Sequence, residues 1–336
     1  MKNLLYIGNK LSTKGKTATT IDTLGNAFST EGYTVKAVSN KEHKVFRLLD
    51  MLWSILKNKN WADYVLIDTY STQNFYYAYL TSGLCRFFKL KYIPILHGGN
   101  LPNRLKYSPN LSKSIFKNAY INVSPSGYLK SNFESFGYKN IIIIANAIDI
   151  ENYPFKQRAI VDVRLLWVRS FSNIYNPKLA VSILKALKDK GLEASLTMVG
   201  PDNDGSLSDA KAFAKSLNVK VDFTGKLSKK EWIERSKDYN VFINTTNFDN
   251  MPVSVIEAMA LGLPVISTNV GGLPFLIENN EDGLLVPPNN ADVFVSEILS
   301  LAKNEQTIID LTYQARKKAE QFSWQVIKEK WNSILV

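Results

Sequence analysis

Short runs of consecutive apolar residues alternate with longer amphipathic stretches along nearly the whole chain, and the alternation is run through twice. Strands buried on both faces read as near-continuous apolar runs, whereas half-exposed strands alternate apolar with polar. NLLYIG (3–8), YTVKAVS (33–39), YVLIDTY (64–70), YIPILHGG (92–99), YINVSP (120–125) and NIIIIANAI (140–148) form the first series. Helices are expected from Thr17 to Gly32, where the glycine fits a helix stop, and over residues 47–59. The polar, proline-bearing segment ENYPFKQRA (151–159) interrupts the series. RLLWVRS (164–170), ASLTMVG (194–200), VDFTG (221–225), YNVFINT (239–245), LPVIST (263–268) and GLLVP (283–287) then restart it, with a helix over 176–191 and a helical tail over 292–336. Strand–helix–strand alternation implies parallel sheets with crossover helices. The expectation is an α/β chain of two Rossmann-like doubly wound domains facing a central cleft, with ligands at the C-terminal strand ends. The boundaries are placed at 1–155 and 156–315, and residues 316–336 form a helix on a domain surface that crosses back toward the first domain.

Composition narrows the function classes. An apolar fraction of 45% supplies two cores and excludes a disordered or collagen-like chain. No apolar run approaches the ~18 residues of a membrane span, and the opening MKNLLYIGNK reads as a first strand rather than a signal peptide. Cys85 is the sole cysteine, so no internal disulfide or cysteine zinc cluster can form, and a reducing cytoplasm is the expected compartment. With only His43 and His97 as histidines, a His-based metal centre is disfavoured. Charge is uneven. Residues 1–155 carry 19 Lys and Arg against 9 Asp and Glu, whereas residues 156–336 carry 22 against 21. A basic first half suits an anionic partner such as a lipid surface or a phosphate, or simply a soluble surface.

The densest chemistry lies in NFDNMPVSVIEAMALGLPVIST (247–268), between two expected strands. Pro252 falls near the first turn of a helix, where its missing N–H costs nothing. The backbone N–H groups of Asn250 to Ser254 are then expected to form a helix N-terminus suited to phosphate. Asp249 and Glu257 place one carboxylate before that helix and one inside it, and Gly271-Gly272 makes a close-approach turn after the following strand.

This stretch resembles the signature of glycosyltransferase family 4, retaining enzymes of the GT-B fold. The family pattern runs Glu, seven residues, Glu, Ala-Met-Ala, Gly, Pro-Val-Ile and a Gly-Gly-Pro-Glu turn. Asp249 and Glu257 take the two acidic positions, and Ala258-Met259-Ala260, Gly262, Pro264-Val265-Ile266 and Gly271-Gly272 match. Phe275 stands where the family has the Glu after proline. ANAID (145–149), VDFTGKLSKKE (221–231) and NEDGLLVPPNN (280–290) resemble further family segments in the same order.

The resemblance implies roles. Glu257 would meet the ribose of a nucleotide-sugar and Asp249 the sugar hydroxyls. Asn250 to Ser254, Pro252 included, would offer backbone N–H groups to the diphosphate, Lys226 and Leu227 would border the nucleobase, and Gly200 would join the substrate-binding residues. Arg169 would fork two phosphate oxygens as the glycosidic bond breaks. Lys178 stands further along than the family's lysine. His97, followed by Gly98 at a strand tip, would face the sugar from the acceptor side. Gly15, between Lys14 and Lys16, would belong to the family's first glycine-bearing loop. The implied partners are a nucleotide-sugar donor, with UDP as the nucleotide, and a glycan or lipid-linked acceptor. No cofactor, metal or nucleic acid is expected. The apolar-basic 47–59 helix and CRFFKLKY (85–92) suit either a buried helix with a solvated basic end or peripheral contact with anionic membrane, and the latter would put the inner face of the cell membrane beside the cytoplasm as an address.

Other motifs are weaker. Six residues separate Gly8 from Gly15, too many for a phosphate-binding P-loop, and Asp202-Asn203-Asp204 reads as a turn. Two further readings stay open on the same architecture: a sugar-nucleotide epimerase, and a non-catalytic partner subunit.

Overall fold

The computed structural model describes residues 2–11 and 19–336. They form two parallel six-stranded α/β sheets in two compact units, residues 1–146 with 328–336 and residues 147–327. The fold is that of GT-B proteins.

The first unit runs β1 (Asn3–Ile7), α1 (Thr20–Thr30), β2 (Thr34–Val38), α2 (Lys44–Asn58), β3 (Tyr64–Tyr70), α3 (Asn74–Phe87), β4 (Tyr92–His97), α4 (Leu101–Tyr107), α5 (Pro109–Phe116), β5 (Asn122–Ser124), α6 (Gly127–Ser135) and β6 (Ile141–Ile143). Its sheet order is β2-β1-β3-β4-β5-β6. The central strands β1, β3 and β4 are apolar on successive positions because helices cover both faces, and Leu5, Val65 and Leu96 lose all contact with water. At the entry of α1, the Asp22 carboxylate accepts the Thr19 amide at 3.0 Å. At its exit, Gly32 takes φ +91°, which a residue with a Cβ resists. Residues 328–336 close this unit: Trp331 sets its ring edge on Phe28 at 5.3 Å, and the Tyr64 hydroxyl donates to the Val336 carbonyl at 2.7 Å.

The second unit runs β7 (Val163–Val168), α7 (Pro177–Asp189), β8 (Ala194–Val199), α8 (Ser206–Ser216), β9 (Asp222–Gly225), α9 (Lys229–Arg235), β10 (Val241–Asn244), α10 (Val253–Ala260), β11 (Val265–Thr268), α11 (Leu273–Leu276), β12 (Leu284–Val286), α12 (Ala291–Lys303) and α13 (Glu305–Glu320). Its sheet order is β12-β11-β10-β7-β8-β9. A last helix, α14 (Trp324–Asn332), follows. Trp167, Leu184, Met198, Val241 and Phe294 fill one face of the sheet, and Leu166, Phe242, Met259 and Leu263 fill the other.

One expected strand divides. Of residues 140–148, Ile141–Ile143 pair with β5, while the Ile148 amide donates to the Phe322 carbonyl at 2.8 Å in the second unit. An unbroken apolar run fits either place, so its composition carried no mark of the break.

The peptide leading into β7 is tied to the second unit by a buried arginine. The Arg158 guanidinium donates to the carbonyls of Tyr239 at 3.0 Å, Leu261 at 2.5 Å, Ser236 at 3.2 Å and Lys156. Its burial lowers the guanidinium to about 10.

Candidate active site

In the second sheet, β7, β8 and β9 are laid down in one direction, and β10, β11 and β12 in the other. The loops after β7 and β10 therefore diverge at a topological switch point, where open α/β sheets hold ligands at their C-terminal strand ends. The densest segment of the sequence begins there, and so does the arginine that the resemblance assigns to phosphate. Arg169 follows β7 directly, and residues 245–252 link β10 to α10.

Arg169 is fixed by its backbone. Its amide donates to the Val199 carbonyl at 3.0 Å. Gly200 sits so close that a Cβ there would overlap the Arg169 carbonyl oxygen, and its φ is +153°. The guanidinium lies 4.1 Å over the Tyr175 ring and pairs with the Asp249 carboxylate. Its Nε is buried and meets no acceptor among the described residues. A buried donor without a partner is uncommon, and it suits a group that completes its bonds with a ligand.

Asp249 sits in a loop held from two sides. Thr268 Oγ1 donates to the Thr246 carbonyl at 2.6 Å, and Thr246 Oγ1 to the Phe248 carbonyl at 2.9 Å. From the other side, the Gly272 amide donates to the Asp249 carbonyl at 2.8 Å. A Cβ on Gly271 would overlap the Asp249 carbonyl oxygen, and one on Gly272 the Asn250 carbonyl oxygen. The glycine pair is thus present for close backbone approach, and it sets where the Asp249 carboxylate begins.

Pro252 is the cap residue of α10, with φ −71° and ψ 115°, rather than part of its first turn. The expected row of amides is shorter than five. Pro252 carries none, and the Asn250 amide donates to Asp249 Oδ1 at 2.8 Å. Val253 and Ser254 open the helix, where no carbonyl four residues back can accept their N–H groups. The Ser254 hydroxyl is buried with no partner among the described residues. Met251, half-buried, leads into this turn.

Glu257, in α10, is 3% exposed. Its Oε1 accepts the Tyr153 hydroxyl at 2.7 Å and also the Lys229 ammonium. Burial pushes the Tyr153 phenol upward, and the Glu257 charge adds to that, so the phenol keeps its proton and donates. Tyr153 is held in turn by Arg316 of α13, which donates to the carbonyls of Tyr153 at 2.6 Å and Ala260 at 2.8 Å. Lys229 opens α9 behind a capping box, in which the Ser228 amide donates to Glu231 Oε2 at 2.7 Å. Leu227 packs on the apolar cluster around Leu166 and Trp232, and Lys226 is exposed. Tyr153 and Lys229 were not singled out from the sequence. Their only mark was position, beside ANAID and inside VDFTGKLSKKE.

Lys178 does not join Arg169. It sits at the start of α7, half-exposed, with its ammonium 3.6 Å from Asp209 of α8. Asp202 and Asp204 form a turn. Asp202 Oδ1 accepts the Gly205 amide at 3.0 Å, and hydrogen bonds from Ser206 and Ser172 hold Asp204 at about 2.

The first unit carries a separate cluster at the ends of β1, β3 and β4, its own switch point. His97, the last residue of β4, is buried, with Nε2 2.7 Å from Asp68 Oδ1 and its ring stacked on Tyr70 at 4.7 Å. The Tyr6 hydroxyl donates to the same Asp68 oxygen at 3.0 Å. Asp68 Oδ2 is buried without a partner among the described residues, and a Cβ on Gly8 would overlap it. The first glycine of the rejected P-loop thus makes room for a carboxylate. Asp68 escaped sequence reasoning although an acid inside the apolar run YVLIDTY was a legible anomaly. Gly98 follows with φ +77°. Gly15, with Lys14 and Lys16, lies outside the described residues.

The family model described as Glycosyl transferases group 1 matches residues 150–318. An uncharacterized glycosyltransferase of Haemophilus influenzae is 25% identical over 60% of the chain, which spans 57% of that relative's length. The amylovoran biosynthesis glycosyltransferase AmsK of Erwinia amylovora is 38% identical over 22% of the chain and 18% of its own length. Among solved structures, sucrose-phosphate synthase from Thermosynechococcus elongatus superposes with a TM-score of 0.81 at 14% identity, over 99% of this chain and 98% of that one. HepE of Anabaena in complex with UDP-glucose superposes with a TM-score of 0.78 at 14% identity, over 100% and 99% of the two chains.

Proposed function

The chain belongs to the glycosyl transferases group 1 family, and from that premise we propose that it moves a sugar, with retention of anomeric configuration, from a UDP-sugar to a hydroxyl of a glycan or lipid-linked acceptor. The observation that carries this reading is the grouping at the switch point of the second sheet: a partly unsatisfied guanidinium paired with Asp249, beside the loop that opens α10. The relative named for amylovoran biosynthesis favours surface polysaccharide as the product. HepE, bound to UDP-glucose, favours UDP as the carrier.

In this reading Arg169 and the Val253 and Ser254 amides bind the diphosphate. The guanidinium supplies charge that the resting enzyme balances with Asp249. Glu257 receives the ribose hydroxyls on Oε2, since Tyr153 and Lys229 both use Oε1. Asp249 meets the sugar hydroxyls, and Lys226, Leu227 and Gly200 border the nucleotide. The second unit, residues 147–327, forms the donor domain and the first, residues 1–146 with 328–336, the acceptor domain, with His97 and Gly98 on the acceptor side. Its work is cytoplasmic, at the inner face of the cell membrane, which the basic first half contacts.

The reading assigns no side chain the part of a covalent nucleophile. The bond from the anomeric carbon to the diphosphate oxygen breaks, and its electron pair leaves with the diphosphate. The acceptor oxygen bonds to that carbon from the same face, and its proton passes to the departing phosphate oxygen. The chain contributes position and charge neutralisation.

A thermal-shift screen of nucleotide-sugars identifies the donor, because a ligand held by the native state raises its melting point. Transfer is then assayed with Arg169→Ala and Glu257→Ala. Each is expected to lose most transfer while remaining folded at the assay temperature. Wild-type turnover in both would overturn the reading. A new sugar formed from donor alone would make the protein an epimerase instead.

A further inference from the structure

Helix α2 is apolar on two opposite sides. Its inner stripe, Met51 and Ile55, is buried in the first unit. Its outer stripe, Phe46, Leu49, Trp53 and Leu56, is in water, with Phe46 63% and Trp53 64% exposed. A surface helix normally turns a polar face outward, and one that is apolar all round is normally covered. The stripe does not end with the helix. The Tyr77 hydroxyl donates to the Lys44 carbonyl at 3.0 Å, and the Lys59 ammonium lies 4.7 Å over the Phe88 ring. These contacts set α3 beside α2 and in the same direction. Along α3, Tyr76, Leu80 and Phe87 are exposed as well, Phe87 at 77%. Two neighbouring helices thus each present an exposed apolar stripe, of the kind that marks an interaction surface.

Charge identifies the occupant. Lys41, Lys44, Lys57, Lys59 and Lys89 are all exposed around the patch, and α3 contains no acidic residue. Of the acids on and next to α2, Asp50 is engaged by the Ser39 hydroxyl at 2.5 Å, and Glu42 is exposed. Aromatic and leucine side chains rimmed by lysines match an anionic bilayer surface. The rings enter the headgroup layer and the ammonium groups stay with the lipid phosphates. The geometry points to the α2–α3 face as a docking surface for anionic membrane. Phe46, Leu49, Trp53 and Leu56 insert, and Lys44, Lys57 and Lys59 give the preference for negative charge. This deepens the membrane contact proposed above and rests on it.

The test uses the full-length protein and vesicles of phosphatidylcholine, with or without phosphatidylglycerol, and no sugar donor. Wild type is expected to sediment with the anionic vesicles, more weakly with neutral ones, and less as salt rises. The Phe46→Ser/Trp53→Ser variant should lose at least about tenfold in vesicle affinity. Each of Lys44→Gln, Lys57→Gln and Lys59→Gln should lose roughly fivefold on anionic vesicles only. Brominated lipid should quench a component of the wild-type fluorescence that Trp53→Phe lacks, a readout that needs no apolar-to-polar variant to fold. Failure of wild type to bind anionic vesicles, or equal binding by Phe46→Ser/Trp53→Ser, overturns the proposal. So does a dimer without vesicle binding that the same variant abolishes, because the patch would then be covered by a second copy. Transfer to a soluble acceptor by a protein that ignores vesicles would overturn this inference and leave the transferase reading standing.

Discussion

Within the second unit Tyr153 holds Glu257, and removing only its hydroxyl isolates that contact. Tyr153→Phe keeps the ring in place and deletes a 2.7 Å hydrogen bond to a carboxylate that is 3% exposed. A hydrogen bond to a charged group contributes about 1.5–3 kcal/mol. The remaining partner, Lys229, is more than half exposed, so water screens it and it cannot make up the loss. For a unit of this size each kcal/mol moves the melting temperature by about 2–4 °C, so Tyr153→Phe should melt roughly 3–12 °C lower. The contact itself is read by a double-mutant cycle with Glu257→Gln. Against a neutral amide oxygen the phenol contributes about 0.5–1.5 kcal/mol, which predicts a coupling of about 1–1.5 kcal/mol by urea unfolding. Calorimetric titration with UDP adds the functional side. A carboxylate freed from the phenol should bind the ribose less well, and the affinity of Tyr153→Phe should fall several-fold. Additivity of the two substitutions within about 0.5 kcal/mol, with unchanged UDP affinity, would refute the reasoning.

Three further outcomes are expected. Gly272→Ala pushes a Cβ onto the Asn250 carbonyl oxygen without straining its own backbone, whereas Gly205→Ala strains a φ of +86° but meets open space. The first should cost about 1–3 kcal/mol and most UDP binding, and the second about 1 kcal/mol with binding intact, both by thermal shift and calorimetry. Arg158→Leu strands four carbonyls under the second unit and should cost about 3 kcal/mol or more in urea unfolding, without a charge partner to blame. Burial raises the Cys85 thiol from 9.0 to about 12, so it stays protonated when folded and should react with a disulfide reagent only on unfolding. Its folded value lies above its unfolded one. Its stabilising contribution is therefore whole below about pH 9 and fades by about 1.4 kcal/mol per unit as pH rises from there toward 12.

The strand–helix rhythm exposed the fold because buried parallel strands leave their mark residue by residue. YVLIDTY is a strand over its full expected length, and most of the other runs lose only a residue or two at their ends. The rhythm failed over 140–148, where one apolar run serves two units. The site was legible where chemistry coincides with backbone constraint, as in the glycines beside Asp249 and the arginine directly after β7. It was illegible where a side chain arrives from afar. Tyr153 and Lys229 lie 104 and 28 positions from Glu257, and nothing local marks either as its neighbour. Lys178, displaced along the sequence from the family's lysine, pairs with Asp209 from the first turn of α7.

The contact of Gly271 and Gly272 with the backbone of residues 249–250 makes two loops behave as one component. Lengthening or decorating either would shift both, so sugar preference is poorly tuned by substitution at that seam. Engineers seeking a different donor have more latitude at Lys226 and Phe275, whose side chains reach solvent, and can leave the interlocked turn untouched.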